Sequence, residues 1–114
     1  MGFVDLLIEM KREKEKYFKN YMKYAKRIKK IIRKKLPDAK VFVFGSVVKR
    51  TYTPLSDIDL LIVSKKMPKR ISERNKLIEE VWKKIGVFSP FEIHLVNEKE
   101  FEWYKRFIDK MVRV

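Results

Sequence analysis

The stretch Phe44–Val63, FGSVVKRTYTPLSDIDLLIV, combines the residues of a buried strand with two carboxylates. Its last part, residues 57–63, has the length and the β-branched content of a buried strand. Because side chains alternate across a strand, we expect Asp57 and Asp59 on one face and the apolar residues on the other. Carboxylates on a largely buried strand are costly unless cations neutralise them, so the sequence predicts a cation site here.

Two further strands are predicted, one before and one after this stretch in the sequence. Residues 40–44, KVFVF, form a short apolar run, and residues 91–96, FEIHLV, form a third. By the same alternation Glu92 and His94 share a face of the third strand. If the strands adjoin with their apolar faces against helices, three carboxylates meet on one open face of the sheet. His94, on the same face, is predicted to be a structural or surface residue rather than a catalytic base.

These three carboxylates, Asp57, Asp59 and Glu92, are the predicted catalytic and metal-binding residues. Three oxygen donors without His or Cys ligands suit the hard cations Mg²⁺ or Mn²⁺, with phosphate oxygens and water as the remaining ligands. Such a cluster can hold two ions about 4 Å apart, one at the attacking and one at the leaving oxygen of a displaced phosphate. The pattern therefore indicates phosphoryl chemistry.

The Gly45-Ser46 pair supplies a complementary phosphate-binding half. Glycine permits close backbone approach, the serine offers a hydroxyl and an N–H, and a short helix beginning there would direct its positive end at a phosphate. Lys49 and Arg50 could assist. Ser56, at the end of the connection to the aspartate strand, completes the predicted nucleotide-binding set.

Helices are predicted around these strands. Apolar spacing over residues 3–36 indicates one long helix or two with a break in the polar segment KREKEK, and Pro37 ends it. Ser72 is a candidate cap for a helix that ends at Gly86, and Asn97 with Glu100 forms a capping-box start for a last helix. The predicted class is α/β (α+β), a small mixed sheet of three or more strands flanked by helices.

The length of 114 residues fits one domain, 1–114, with an N-terminal helical region, 1–36, and a catalytic core, 37–114. The chain has no cysteine, which excludes disulfides and thiolate metal sites. It has no apolar run of membrane-spanning length and no signal-peptide pattern, so we expect a cytoplasmic protein without membrane contact. Abundant Lys and Glu without Gln or Cys resembles hyperthermophile composition.

The net charge of +14 favours polyanionic partners. The first 36 residues hold 13 basic and 4 acidic side chains, and residues 17–35 contain nine basic and no acidic ones. The basic residues of this segment lie between positions 19 and 35. They form a surface for nucleic acid or an acidic partner, or alternatively a solvated helix face without a partner. The apolar stripe of residues 3–24 predicts self-association or binding to a second protein.

The order of Gly45-Ser46, ten residues, Asp57-Ile58-Asp59 and a carboxylate on a later strand resembles the DNA polymerase beta nucleotidyltransferase superfamily, in its minimal nucleotidyltransferase branch. The similarity covers roughly residues 40–96. It implies that Gly45 and Ser46 bind the tail of a nucleoside triphosphate and that both aspartates ligate two Mg²⁺ ions. It also implies that Glu92 ligates the catalytic ion and helps to deprotonate the acceptor.

Two residues depart from the family pattern. The family usually has Gly where this chain has Arg50, which affects the loop after the helical turn and access to the triphosphate. It often has Asp where this chain has Glu92, which keeps the charge but moves it by one methylene.

The resemblance implies transfer of a nucleoside monophosphate, AMP from ATP, onto a hydroxyl. The minimal branch often acts as the antitoxin of a toxin–antitoxin pair, with a HEPN-type ribonuclease as partner and acceptor. Two other functions stay open at this point: an interaction protein that neutralises its partner by binding alone, and a basic nucleic-acid-binding module.

Overall fold

A computed structural model describes residues 2–114 as five helices and four strands. The helices are α1 Phe3–Lys19, α2 Tyr21–Arg33, α3 Ser46–Lys49, α4 Ile71–Ile85 and α5 Glu98–Lys105. The strands are β1 Lys40–Phe44, β2 Ile58–Val63, β3 Phe91–Val96 and β4 Met111–Arg113. No helix in residues 2–114 is both long and apolar enough to cross a membrane.

The four strands form one mixed sheet in the order β3-β2-β1-β4. β1 runs antiparallel to β2 and β4, whereas β2 and β3 are parallel. The parallel register sets Asp59 directly opposite Glu92. The predicted class, a small mixed sheet flanked by helices, is confirmed, and the sheet has a fourth strand beyond the three that were predicted individually.

The larger core fills the sheet face that carries Ile58, Leu60 and Ile62. α2 and α4 cover this face with fully buried side chains such as Ile28 and Val81. The alternation predicted for β2 explains this arrangement, because its apolar residues on this face all enter the core. Burial of each such side chain contributes roughly 1.5–3 kcal/mol relative to leaving it exposed.

The opposite face of the sheet, which carries Asp59, Glu92 and His94 and is called the carboxylate face below, was predicted to be open. α5 instead covers part of it. Leu61 of β2 is fully buried there, in a second cluster whose partly buried members include Phe101 and Tyr104. The prediction was wrong because it ignored the odd-numbered apolar residues of β2, which also require cover.

The N-terminal helical region is a pair of helices with its break at Asn20. Asn20 has φ −115° and ψ 26°, and its side-chain Nδ2 donates to the Lys16 carbonyl. The polar segment KREKEK, where a break was considered, lies within α1 and is helical throughout. Among the residues of α1, Phe18 is the one that the structure buries.

The predicted helix boundaries have mixed outcomes. Asn97 and Glu100 form the predicted capping box, with Asn97 Oδ1 accepting from the Glu100 N–H at 2.8 Å. Gly86 ends α4 as predicted, at φ +134°. Ser72 does not cap α4, because the helix already includes Ile71 and starts after Arg70 without a side-chain cap.

Candidate active site

The parallel pairing of β2 with β3 gathers three ligand-type side chains on the carboxylate face. One ligand atom from each of Asp59, Glu92 and His94 lies within 4.8 Å of the other two. His94 Nε2 is 3.7 Å from Asp59 Oδ1 and 3.6 Å from Glu92 Oε1. These three residues are called the acidic cluster below.

The imidazole of His94 is held from its other side by Tyr104 of α5. The Tyr104 hydroxyl lies 3.3 Å from His94 Nδ1. Burial raises the pKa of Tyr104, and the charges of Glu100 and Glu92 raise it further, so the phenol stays protonated at neutral pH. His94 Nε2 is buried and has no hydrogen-bond partner among the described residues. A nitrogen that faces two carboxylates without a partner is a position for a proton or a metal ion.

Gly45 is required by the approach of the backbone to Asp59. It precedes α3 with φ +82°, a conformation that favours glycine. A Cβ at this position would collide with the Asp59 carboxylate. Glycine was predicted here because it lets the backbone approach a phosphate closely. In the structure the group that the backbone approaches is the Asp59 carboxylate.

The remaining residues of the Gly45-Ser46 segment lie in and after α3. This helix has only four residues, so its dipole is small and the phosphate-binding groups are its backbone N–H groups and the Ser46 hydroxyl. Lys49 Nζ lies 2.8 Å from Asp109 Oδ2 and lowers the pKa of that carboxyl by hydrogen bonding and charge. Arg50 ends α3 in the left-handed region, at φ 59° and ψ 32°.

Two further predicted residues, Ser56 and Asp57, lie in the segment before β2 and outside the acidic cluster. Asp57 is exposed and immediately precedes β2, so it is not held by the strand as Asp59 is. Ser56 Oγ accepts from the Thr53 N–H at 2.9 Å and shapes the loop that leads to β2. Ser56 lines neither of the cavities described next, and the same is true of Ser46 and Arg50.

Residues of the acidic cluster contribute to the lining of two cavities. The smaller has a volume of about 280 Å³ and the larger about 590 Å³. Asp59 and His94 line the smaller cavity, together with Gly45 and Lys49. The larger cavity is lined by ten residues: Asp57, Asn75, Ile78, Glu79, Trp82, Ser89, Pro90, Phe91, Glu92 and Ile93. The predicted carboxylates are thus divided between the two cavities, with Asp57 and Glu92 in the larger and Asp59 in the smaller.

The smaller cavity is bounded on the far side by the end of α5 and the turn after it. The residues that complete its lining are Phe44, Trp103, Tyr104, Phe107, Ile108, Asp109 and Lys110. Trp103 is 56% and Phe107 67% exposed, and their ring centroids are 4.6 Å apart. Exposed aromatic rings beside a cationic group and a carboxylate suit a ligand with a flat ring and a charged tail.

Arg74 of α4 fixes α5 in place over the sheet. Its Nη1 donates to the Leu95 carbonyl and to Glu100 Oε2, both at 3.1 Å, and its Nε donates to the Pro68 carbonyl at 2.6 Å. Hydrogen bonding from Arg74 lowers the pKa of Glu100. This guanidinium therefore connects the end of β3 with the helix that carries Tyr104.

The donor set fits a divalent cation. Asp59 and Glu92 supply oxygen, and the unpartnered His94 Nε2 supplies nitrogen. Carboxylates alone suit Mg²⁺, and an imidazole nitrogen extends the set toward Mn²⁺ and other transition metals. The sequence interpretation underestimated His94, although its position two residues after Glu92 was the signal that could have identified it.

The chain matches the family model described as a nucleotidyltransferase domain over residues 25–114, and it belongs to this family. A solved structure described as "Crystal structure of putative nucleotidyltransferase" is 38% identical in sequence to this chain and superposes on it with a TM-score of 0.63. That comparison covers 83% of this chain and 98% of the other.

Two archaeal proteins are also similar. One from Sulfolobus solfataricus, printed as "putative nucleotidyltransferase", has a TM-score of 0.60 at 22% identity, over 93% of this chain and 83% of the other, which supports the fold. The other, named "Putative protein adenylyltransferase", is from Methanocaldococcus jannaschii and is 37% identical over 41 residues. That match covers 36% of this chain and spans 28% of the relative's length.

Proposed function

We propose that the protein transfers a nucleoside monophosphate, AMP from ATP, onto a hydroxyl acceptor and releases pyrophosphate. The observation that supports this most is that residues of the acidic cluster line both cavities. A transfer between two substrates needs a space for each, with the reacting groups at their common boundary. Asp59 faces the smaller space and Glu92 the larger one.

The smaller cavity would take the nucleotide. Gly45 and Lys49 lie at the end suited to the triphosphate, and Trp103 and Phe107 offer rings against which a base can stack. The ion pair between Lys49 and Asp109 is exposed, with side chains 45% and 80% accessible, so it is weak and can be exchanged for a phosphate. Ser46 and Arg50 would contact the triphosphate from α3.

Asp57, Asp59 and Glu92 would hold two Mg²⁺ or Mn²⁺ ions, with His94 as a further donor. Bound ions would neutralise the triphosphate and stabilise the attacking and leaving oxygens. Glu92 would accept the proton of the acceptor hydroxyl as that oxygen bonds to the α-phosphorus and the bond to pyrophosphate breaks. The longer Glu side chain, where the family often has Asp, lines the acceptor-side cavity and is suited to this role.

The acceptor in this proposal is a protein. The Methanocaldococcus relative carries the name of a protein adenylyltransferase, which supports AMP transfer to protein for this chain too. The resemblance to the minimal branch extends the proposal to an antitoxin that modifies a HEPN-type partner in the cytoplasm. In this proposal the partner itself would provide the orientation of its hydroxyl.

A nucleic-acid-binding function is the second candidate, and one observation favours it. Burial lowers the pKa of Lys29, and the charges of Arg33, Arg113 and Lys26 lower it further. This grouping of like charges from α2 and β4 supports a basic surface. Steeply salt-dependent RNA affinity that disappears when Lys26 and Arg33 are replaced would support this function.

Labelled ATP separates these functions. The protein is incubated with ATP labelled on the α-phosphate, with Mg²⁺ or Mn²⁺ and with the product of the adjacent gene. We expect label on the partner, and we expect Asp57→Asn and Asp59→Asn to abolish its transfer. Inhibition of the partner that is unchanged in both variants, without label, would instead indicate a protein that acts by binding alone.

A further inference from the structure

We propose that the larger cavity binds a polypeptide acceptor that carries a Lys or Arg side chain close to the modified hydroxyl. This inference rests on the proposed function for its reaction, but the recognition it describes is a property of the cavity and can be measured without turnover. It identifies the acceptor as a basic peptide segment and excludes nucleic acid and acidic acceptors from this cavity.

One wall of the larger cavity is a single face of α4. Asn75, Ile78, Glu79 and Trp82 are spaced by three or four residues and so lie on the same side of the helix. The opposite wall is the start of β3 with the residues before it. Glu92, a member of the acidic cluster, lies in this wall.

The charge of this cavity is opposite to that of the molecule. Lys and Arg make up 29 of the 114 residues, but none of the ten described residues that line the cavity is basic. Asp57, Glu79 and Glu92 supply three carboxylates to the lining. Such a space repels phosphate groups and favours a cation, whereas the rest of the surface attracts polyanions.

Glu79 is available to pair with an incoming cation. It is exposed and forms no ion pair within residues 2–114, whereas the adjacent Glu80 pairs with Lys84 at 3.7 Å across one turn of α4. Metal ions at the acidic cluster would neutralise Glu92 but not Glu79. Glu79 is therefore the carboxylate of this cavity that remains for recognition.

Trp82 adds an aromatic surface next to Glu79 on the same helical face. It is 37% exposed and lines the cavity. A Lys or Arg side chain can lie on an indole ring while its charge pairs with a carboxylate, and this combination is favourable at exposed sites. Trp82 and Glu79 together define a site for one cationic side chain.

The edge position of β3 favours a polypeptide over a small cation. β3 ends the sheet, so one row of its backbone N–H and C=O groups has no strand partner among residues 2–114. An extended segment can pair with such an edge and direct alternate side chains into neighbouring pockets. Ser89 Oγ, buried and without a hydrogen-bond partner in the described chain, offers one more polar contact at the cavity wall.

Fluorescence of Trp82 measures this recognition directly. The protein contains two tryptophans, so Trp103→Phe leaves Trp82 as the single reporter. Three probes are titrated at about 0.1 M ionic strength: a peptide with a Lys-Tyr-Lys centre, the same peptide with Glu-Tyr-Glu, and a ten-nucleotide oligoadenylate. We expect the basic peptide to change the fluorescence and to bind at least about tenfold more tightly than the acidic one.

Glu79→Lys and Glu80→Lys form a matched pair, because they change the net charge equally and only Glu79 lines the cavity. We expect Glu79→Lys to remove or reverse the preference for the basic peptide and Glu80→Lys to keep it. Equal effects of the two variants would overturn the proposal. If the Trp103→Phe protein binds the acidic peptide or the oligoadenylate more tightly than the basic peptide, the proposal is overturned as well.

Calorimetry with ATP and Mg²⁺ tests the proposed function separately, on the protein that keeps Trp103, because this residue lines the cavity proposed for the nucleotide. Nucleotide binding without selective peptide binding rejects the acceptor inference and keeps the transferase. Selective peptide binding without nucleotide binding rejects the transferase and keeps the peptide recognition by the larger cavity.

Discussion

At Gly45 the backbone passes so close to Asp59 that a side chain does not fit. We expect Gly45→Ala to lower the free energy of unfolding by about 1–3 kcal/mol, because a Cβ would displace the carboxylate and φ +82° is unfavourable for alanine. Urea unfolding measures this change. Gly2→Ala is the control, since a Cβ there would meet only Asp5 Oδ2, at 3.6 Å. Equal stability of the two variants would contradict the steric requirement for glycine at position 45.

Arg50 combines an unfavourable backbone with a predicted contact to the nucleotide. It is the one non-glycine residue in the described chain with positive φ. Arg50→Gly is expected to stabilise the fold by about 1 kcal/mol, because glycine adopts the left-handed region without a steric cost. The same variant is expected to bind ATP more weakly if the guanidinium contacts the triphosphate.

Arg50→Lys separates these two effects. It keeps a positive charge and the backbone cost, so neither stability nor ATP affinity should change as much. Denaturant unfolding and ATP titration of both variants provide the measurement. A destabilised Arg50→Gly protein would show that the side chain contributes more to the fold than its backbone conformation costs.

The sequence predicted individual site residues as far as strand alternation extends. Asp59 and Glu92 were assigned to one face from the period of two, and the parallel register places them side by side. The relation of Asp57 to them could not be predicted, because β2 begins only at Ile58 and alternation does not apply outside a strand. His94 was assigned to the correct face, but its contact with Tyr104 depends on where α5 packs.

At the scale of elements, Arg74 determines how α5 lies over the sheet. We expect Arg74→Ala to lower the free energy of unfolding by about 2–4 kcal/mol, because it leaves two backbone carbonyls and the Glu100 carboxylate without their donor. Arg70→Ala is the control, since Arg70 lies beside the same helix and is exposed. Thermal unfolding of the two proteins checks this, and similar losses would contradict a special role of Arg74.

Elements with strong local signals were predicted well. The strands at 40–44 and 91–96 have the predicted bounds, and the Asn97–Glu100 capping box forms as expected. β4 was not predicted individually because its three residues are too short for an alternating pattern, and it is stabilised by pairing with β1. The break at Asn20 depends on how α2 packs on the core, which no local pattern reveals.

At the scale of the whole molecule, α1 leaves an apolar surface uncovered. Six residues of α1 are 45–74% exposed: Phe3, Val4, Leu6, Leu7, Ile8 and Met10. The molecule extends 48 Å along its longest axis and 29 Å and 22 Å along the others. Contiguous apolar patches of this kind mark protein–protein contact sites.

We expect this surface to mediate self-association. Sedimentation at tens of micromolar should show a species larger than the 13.9 kDa monomer, and Leu6→Glu with Leu7→Glu should return it to a monomer. The control is Lys11→Glu with Lys14→Glu, farther along the same helix. A wild-type monomer that also captures no second protein would contradict the prediction.

The proposed activity requires the acidic cluster to bind a nucleotide together with divalent ions. Calorimetric titration of ATP into the wild type, Asp59→Asn and the control Glu102→Gln, with and without Mg²⁺ or Mn²⁺, tests it most directly. We predict binding that requires the metal, is weakened at least about tenfold by Asp59→Asn and is unchanged by Glu102→Gln. Because loss of a carboxylate would by charge alone favour ATP, equal or tighter binding by Asp59→Asn, or none by the wild type, would contradict the claim.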